Sequence, residues 1–341
     1  MLNVDGRAGA SGYRSTEMLH NLPDLRLMTR AARLYYEEGL IQSEIADRLG
    51  ITQVAVSRLL KKAEEHGIVR TTVVTPQGAF AELEELLEHS FGLDQVIIGE
   101  ATSDSEEAVR AAIGSAAAQF LESIVKSREV IGISSWSASL LSTVNQMHPI
   151  RKVENCLIVQ MLGGIGSPSA EQHASHLAVR LARLVRGDAR FLPVPGIVGS
   201  ASAAKVLLRD PNVNNTVALF EKVTLALVGI GSVEPSALVA SSGNIFSREE
   251  LETVQRQGAV GDICLRFYDA NGHAVRGTLN DRVIGMTLED LCRVQRSVAI
   301  CGGKRKFPAI LGAVRGKWIN TLVTDQHTAQ RLAKAGEREG R

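Results

Sequence analysis

The sequence predicts two architectures in series: an N-terminal all-α helix-turn-helix domain, then a larger α/β domain on a parallel sheet. Three observations carry this. The chain has 341 residues, and at roughly 100–200 residues per domain that is length for two. The segment Gln42–Leu60 sets small, glycine and apolar residues where two short crossed helices need them. From Phe91 onward, brief apolar runs alternate with helical patterns, as parallel strands joined by crossover helices do.

Composition narrows the class. Hydrophobic residues make up 45% and charged residues 22%, ordinary globular values that exclude a wholly disordered chain. Lys plus Arg is 38 against Asp plus Glu 37, a net of +1, so the total charge announces no polyanionic partner. Cys156, Cys264, Cys292 and Cys301 lie far apart without CxxC spacing. Neither a zinc site nor a disulfide framework is expected, and buried free thiols are. The first residues lack the apolar stretch of a signal peptide, and no run of 18 apolar residues occurs. No membrane partner and a reducing cytoplasm are therefore expected.

Four zones follow along the chain. Residues 1–24 are Gly, Ser and Arg without period and read as a mobile tail. Residues 25–75 carry dense helical spacing and end in a β-branched run, which makes them the helix-turn-helix domain. After Pro76-Gln77-Gly78 comes an acidic amphipathic stretch, Phe80–His89, read as a linker helix within 76–90. Residues 91–335 form the α/β domain. Its candidate strands are Gln95–Ile98, Val130–Ser134, Cys156–Met161, Ala189–Leu192, Thr224–Val228, Cys264–Tyr268, Ser297–Ile300 and Thr321–Thr324, with helices such as Ala108–Val125 and Ala309–Val314 between them. Strands buried on both faces read as short continuous apolar runs. In such sheets ligands bind beyond the carboxyl ends of strands.

Within Gln42–Leu60, Ala46 must be small because the second helix crosses over it, and Gly50 supplies the turn. Thr52 suits the N-cap of the second helix, which leaves Gln53, Val54, Ser57, Arg58 and Lys61 on its outer side; the expected DNA-binding residues are Thr52, Gln53, Ser57, Arg58, Lys61 and Lys62. That helix would enter the major groove of double-stranded DNA. Gln53 offers a bidentate amide to adenine, and Arg58 can pair with guanine or a phosphate. Ser57, Lys61 and Lys62 suit phosphates, which set register without reading sequence. Ile68–Thr75 forms either a wing or the lead into the linker. From Arg26 to Thr75, eight basic residues stand against six acidic ones, a net of +2. So small an excess implies that one copy holds DNA weakly. A homodimer or homotetramer on a two-fold-symmetric operator is expected.

The stretch LYYEEGLIQSEIADRLGITQVAVSRLLKKAEEHGIVR resembles the helix-turn-helix of SorC-family transcriptional regulators, also called DeoR-like sugar-binding regulators. ALVGIGSV (226–233), GAVGDICLRFYDANG (258–272), LEDL (288–291) and CGGKRKFPAILGAVRGKWINTLVTDQHTA (301–329) resemble the effector domain of the same family. The similarity runs from about Leu27 to Leu332. It implies a Rossmann-like effector domain resembling sugar-phosphate isomerases, a phosphorylated sugar or polyol as effector, and a soluble oligomer. It further implies a regulator of a carbohydrate or polyol catabolic operon, more often a repressor, released by that effector.

Four loops can build the effector site. Ser134-Ser135-Trp136-Ser137-Ala138-Ser139 follows a strand and opens a helix, where hydroxyls and free N–H groups suit an oxyanion. The family has a Trp-Gly-Arg-Thr-like run here, so this chain lacks its arginine. Gly163-Gly164-Ile165-Gly166-Ser167 follows the next strand, and the resemblance places Gln172, shortly beyond, against sugar hydroxyls. Gly229-Ile230-Gly231-Ser232 lets backbone approach a ligand; the third glycine of GxGxxG falls on Glu234, so it is no dinucleotide fingerprint. In the fourth group, Asp269 is placed to accept from sugar hydroxyls and Lys306 to meet phosphate. Ser135, Ser137 and Ser139, with Gln172, Gly229, Gly231, Asp269 and Lys306, are thus the expected effector residues. Arg266 is assigned to its strand or an interface, and Asp262 to the end of a turn.

No P-loop, HExxH or GxSxG occurs. His173 and His176, three apart, have no evident third ligand, so neither metal nor cofactor is expected. An isomerase or deaminase acting on sugar phosphates is the competing function. It needs an acid/base pair, and Asp269 has no convincing second group. No enzyme activity is expected.

Overall fold

The computed structural model describes residues 22–69, 80–134, 136–164, 168–234 and 246–339, with backbone alone for 22–23 and 168–175. Two compact units divide the chain, residues 1–74 and 75–341.

The first unit packs three helices: α1 (Leu22–Tyr36), α2 (Gln42–Leu49) and α3 (Gln53–Glu65). α1 takes in the last three residues of the expected tail, with Pro23 in its first turn, where a missing N–H costs no helical bond. Met28, Ala31, Ala32 and Leu34 of α1 close over Ile45 and Ala46 of α2 and Val56, Leu60 and Ala63 of α3. Ala46 is 7% exposed, the small residue that lets α3 cross closely. Gly50 ends α2 in the left-handed region at φ 69°, open to glycine without a side-chain clash. A wing over Ile68–Thr75 falls mostly outside the described residues.

The second unit is built on a seven-stranded parallel sheet. Its strands are β1 (Gln95–Gly99), β2 (Val130–Ile133), β3 (Leu157–Gln160), β4 (Asp188–Arg190), β5 (Leu225–Val228), β9 (Arg296–Ile300) and β10 (Thr321–Asp325), in the order β1-β10-β9-β5-β2-β3-β4. Side chains alternate between two apolar layers: Leu225 and Leu227 face one, Ala226 and Val228 the other. One layer is covered by α5 (Glu106–Ile124), α6 (Ala138–Gln146) and α7 (Pro168–Leu184). The other is covered by α4 (Ala81–Phe91), α12 (Phe307–Arg315) and α13 (Gln326–Glu339), with α8 (Ala201–Leu208) and α9 (Pro211–Val217). Each fully buried aliphatic side chain contributes about 1.5–3 kcal/mol, so burial on both faces makes this sheet the main source of stability.

α4, expected as a linker helix, packs Leu87 and Phe91 into this core. Its acidity has a structural use. β1 is an edge strand, and Glu88 Oε1 and Glu84 Oε1 accept the Val96 and Ile98 backbone N–H groups, each at 2.8 Å. The open edge is thereby covered.

The expected strand Cys264–Tyr268 is corrected. β7 (Ala259–Ile263) and β8 (Arg266–Asp269) form an antiparallel hairpin, with β6 (Gly231–Ser232) completing a three-stranded sheet. Cys264 and Leu265 are the turn, both at positive φ (51° and 61°), the conformation of a type I′ turn. Arg266 opens β8. Its guanidinium donates to the carbonyls of Val283 and Gly285, at 3.1 and 3.3 Å. α10 (Arg248–Arg256) packs against β7, and α11 (Leu288–Arg293) precedes β9. Of the four thiols, three are buried and Cys292 is exposed. No helix among the described residues is long and apolar enough to cross a membrane.

Candidate DNA interface and effector cavity

In the first unit, α3 is set by its cap. Thr52 has extended backbone, and its Oγ1 accepts the Ala55 N–H at 3.2 Å. The Thr52 hydroxyl is therefore spent on the helix. Gln53, Ser57, Arg58, Lys61 and Lys62 are exposed. Their side chains have no intramolecular hydrogen bond or ion pair among the described residues, whereas Arg33 and Arg48 are paired with Glu37 and Glu38 at 2.8 Å. Positive charge free to meet phosphate is thus concentrated on α3, with Arg26 and Arg30 on α1.

In the second unit, the sheet order reverses between β2 and β5: the chain runs outward through β3 and β4, then returns to the other side of β2. Loops diverge at such a switch point and leave a crevice. A cavity of about 120 Å³ lies there. The loop after β2 contributes Ser134, Trp136 and Ser137, and the loop after β5 contributes Gly229 to Val233. The hairpin adds Asp262, Cys264 and Leu265, and the turn after β9 adds Arg305 and Lys306.

Packing explains the glycines. A β-carbon at Gly229 would meet Ser137 Oγ at 2.5 Å, and one at Gly231 would meet Asp262 Oδ1 at 2.1 Å. The Gly229 N–H donates to Ser134 Oγ at 3.1 Å, which ties the β2 and β5 loops together. Ser137 caps α6 by accepting the Leu140 N–H at 3.3 Å.

The charged wall is partly buried: Asp262 and Lys306 are half-buried, and Arg305 is exposed. Burial pushes the Asp262 carboxyl up to about 6, although the Leu265 N–H and the Lys306 ammonium act to lower it; that N–H donates to Asp262 Oδ2 at 2.9 Å. Burial also lowers Lys306, with Asp262 among the groups opposing the change. Arg305 donates to Glu106 Oε1 at 2.8 Å and to Ser232 Oγ at 2.9 Å. The turn carrying both cations is anchored from below. Gly303, at φ 94°, donates its N–H to the buried Asp325 carboxylate and to Thr328 Oγ1. Trp136 also lines the cavity, and its Nε1–H is buried without an acceptor among the described residues. A cavity with two cations, a carboxyl, hydroxyls and an unspent indole donor can hold a small polyhydroxylated anion.

Residues 75–334 match the family described as "Putative sugar-binding domain", and residues 32–78 match the MarR family. The "Deoxyribonucleoside regulator" of Bacillus subtilis is 32% identical over 307 residues, covering 90% of this chain and 97% of that one. The crystal structure of the full-length sorbitol operon regulator SorC from Klebsiella pneumoniae superposes with a TM-score of 0.68 at 28% identity, covering 91% of this chain and 99% of that one. The chain belongs to the SorC family of transcriptional regulators. The sugar-binding domain of a DeoR regulator from Pseudomonas syringae pv. tomato is 37% identical, with a TM-score of 0.59 over 75% of this chain and all of that one. Like these relatives, this SorC-family chain is a DNA-binding transcriptional regulator and not an enzyme.

The expected effector residues of this SorC-family protein scatter. Ser137, Gly229, Gly231 and Lys306 line the cavity. Ser135 and the side chain of Gln172 lie outside the described residues. Ser139, two residues past the cap of α6, turns inward and is buried; its carbonyl accepts from Thr143 Oγ1 at 2.9 Å. Asp269 is not among the lining residues. It ends β8, and its carboxylate accepts the Asn271 and His273 N–H groups, each at 2.9 Å. Burial acts to raise the Asp269 carboxyl, but those N–H groups and the His273 ring hold it below its ordinary value. Its acceptor capacity serves a turn. Asp262, read as the end of a turn, takes the place in the cavity expected of Asp269, and Arg305 had no role assigned. The signal for Asp262 was the alternating run Ala259–Ile263; for Arg305 it was adjacency to Lys306. Among the described residues, no group of three or more His, Cys, Asp or Glu gathers as a metal site.

Proposed function

We propose that this regulator represses a carbohydrate or polyol catabolic operon and is released by a phosphorylated sugar or polyol bound in the switch-point cavity. Residues 25–75 read the operator, and residues 91–335 bind the effector and hold a homodimer or homotetramer together in the cytoplasm. The observation that carries the reading is that Arg305 and Lys306 line one cavity with Ser137 and Trp136. Position 138 is alanine where the family resemblance leads one to expect arginine, and Arg305 brings a guanidinium to the same cavity from the turn after β9. Asp262 and the hydroxyls then suit the sugar's own hydroxyl groups. The names of relatives, a "Sorbitol operon regulator" and a "Deoxyribonucleoside regulator", support a catabolic operon.

Release requires that the effector bind one arrangement of the oligomer more tightly than another. A coupling of roughly 1–3 kcal/mol changes operator affinity about 5–150-fold. The test is operator binding by the full chain with and without a panel of sugar and polyol phosphates, beside their unphosphorylated parents. At least one phosphorylated compound lowers affinity within that range. An operator affinity indifferent to the whole panel refutes the inducer; a response only to the unphosphorylated parents refutes the phosphate. Sedimentation in the same buffer gives the oligomeric state.

A further inference from the structure

The outer stripe of α3 is polar except at one place. Val54, Ser57, Arg58 and Lys61 follow at i, i+3, i+4 and i+7 and share one face, opposite the buried Val56, Leu60 and Ala63. Val54 is 62% exposed. The fold gains little from it there: it belongs to none of the first unit's core, and a β-branched residue is a poorer helix former than alanine. It also stands second after the Thr52 cap, in the turn that approaches base edges when such a helix enters the major groove. Its polar neighbours can read hydrogen-bonding groups. The apolar feature on the major-groove edge is the C5 methyl of thymine, and a branched aliphatic side chain fits it.

We propose that Val54 is a specificity residue that reads thymine, packing its methyl groups on the C5 methyl in the major groove of the operator. The inference rests on α3 being the helix that enters the groove.

The experiment uses the full chain and an operator selected by it from random duplexes. Each thymine is then replaced singly by deoxyuridine, which removes only the methyl. For the unchanged protein, one replacement per half-site weakens binding about fourfold, the value of one buried methyl-sized group. Val54→Ala loses the contact in both half-sites of a two-fold operator, so it binds the parent operator about fifteenfold more weakly and is indifferent to the same replacement, with its thermal midpoint unchanged or raised. The proposal is overturned if no deoxyuridine position matters, if Val54→Ala keeps full affinity, or if it stays equally sensitive to deoxyuridine. A midpoint several degrees lower would make Val54 a residue of the fold, which also counts against it. Arg58→Ala separates the two levels: if it too leaves operator affinity unchanged, the fault lies with α3 as the reading helix, not with Val54 alone.

Discussion

Asp325 Oδ2 accepts the Gly303 backbone N–H at 3.0 Å, joining the carboxyl end of β10 to the turn that carries Arg305 and Lys306. Asp325 is fully buried, and its other oxygen accepts the Thr328 N–H at 3.0 Å. Asp325→Ala would leave the Thr328 N–H and hydroxyl short of an acceptor, while the Gly303 N–H keeps Thr328 Oγ1, at a cost of about 1–3 kcal/mol for each lost partner. We predict a loss of about 2–4 kcal/mol in urea unfolding and a weaker effector-induced thermal shift. A variant with unchanged stability would show that the anchor is dispensable.

The Asp262 carboxyl gives the stability a pH dependence of definite sign. Its value rises from an ordinary 3.8 to about 6 in the folded chain. The folded state therefore holds this proton more tightly than the unfolded state does. Where the native state binds more protons, stability falls as pH rises, so the loss accumulates between about 3.8 and 6 and is complete above that window. It amounts to roughly 3 kcal/mol at most. Asp262→Asn keeps an oxygen for the Leu265 N–H and removes the charge. Its stability relative to the unchanged protein should grow from pH 4 to pH 6 and then level off. Parallel unfolding curves at pH 4, 5, 6 and 7 would contradict this.

Gly229 and Gly231 are held to their size by two residues that line one cavity, Ser137 and Asp262. A β-carbon at 229 would stand 2.5 Å from Ser137 Oγ, so Gly229→Ala is predicted to cost about 1–3 kcal/mol by overpacking. Ser137→Gly removes the obstructing atom and leaves a tolerable N-cap. The double variant should regain most of the lost stability, and additive losses would rule out the clash as the cause. Gly231→Ala has no such relief. Asp262 Oδ1 lies 2.1 Å from the new carbon, while the other oxygen is fixed on Leu265. The thermal shift from an effector should fall with it.

Which parts were legible follows from how local their causes are. The helix-turn-helix is written in Ala46, Gly50 and Thr52, each acting within a few residues of itself. The central strands were legible because both faces are buried, so each reads as an unbroken apolar run. The β7–β8 hairpin was hidden because its turn uses Cys264 and Leu265 at positive φ, without the Asn-Gly or Asp-Gly pair that marks such turns. That one miss misplaced two carboxylates. The rule that a ligand waits at a strand's carboxyl end belongs to parallel sheets. β8 runs antiparallel, so its carboxyl end, with Asp269, points away from the turn that lines the cavity. Asp262 sits on β7, the strand that leads into that turn, opposite Gly231. Arg305 was missed because its role depends on a turn anchored by Asp325, 20 residues later in the chain.

The division of labour on α3 predicts two kinds of defect. Lys61 and Lys62 are exposed and without intramolecular partners among the described residues. An ammonium on a flexible stem meets phosphate as a point charge and carries no base information. Lys61→Ala and Lys62→Ala should weaken binding to every duplex alike and each reduce the slope of log affinity against log salt by about 1. Gln53, at the first position after the cap, presents an amide with two complementary groups. Gln53→Ala should leave the salt slope unchanged and cost about 1–3 kcal/mol on the selected operator alone, with little change on unrelated DNA. Titrations at several salt concentrations on both duplexes separate the two classes. Equal losses on operator and unrelated DNA for Gln53→Ala would move it from the reading to the positioning residues.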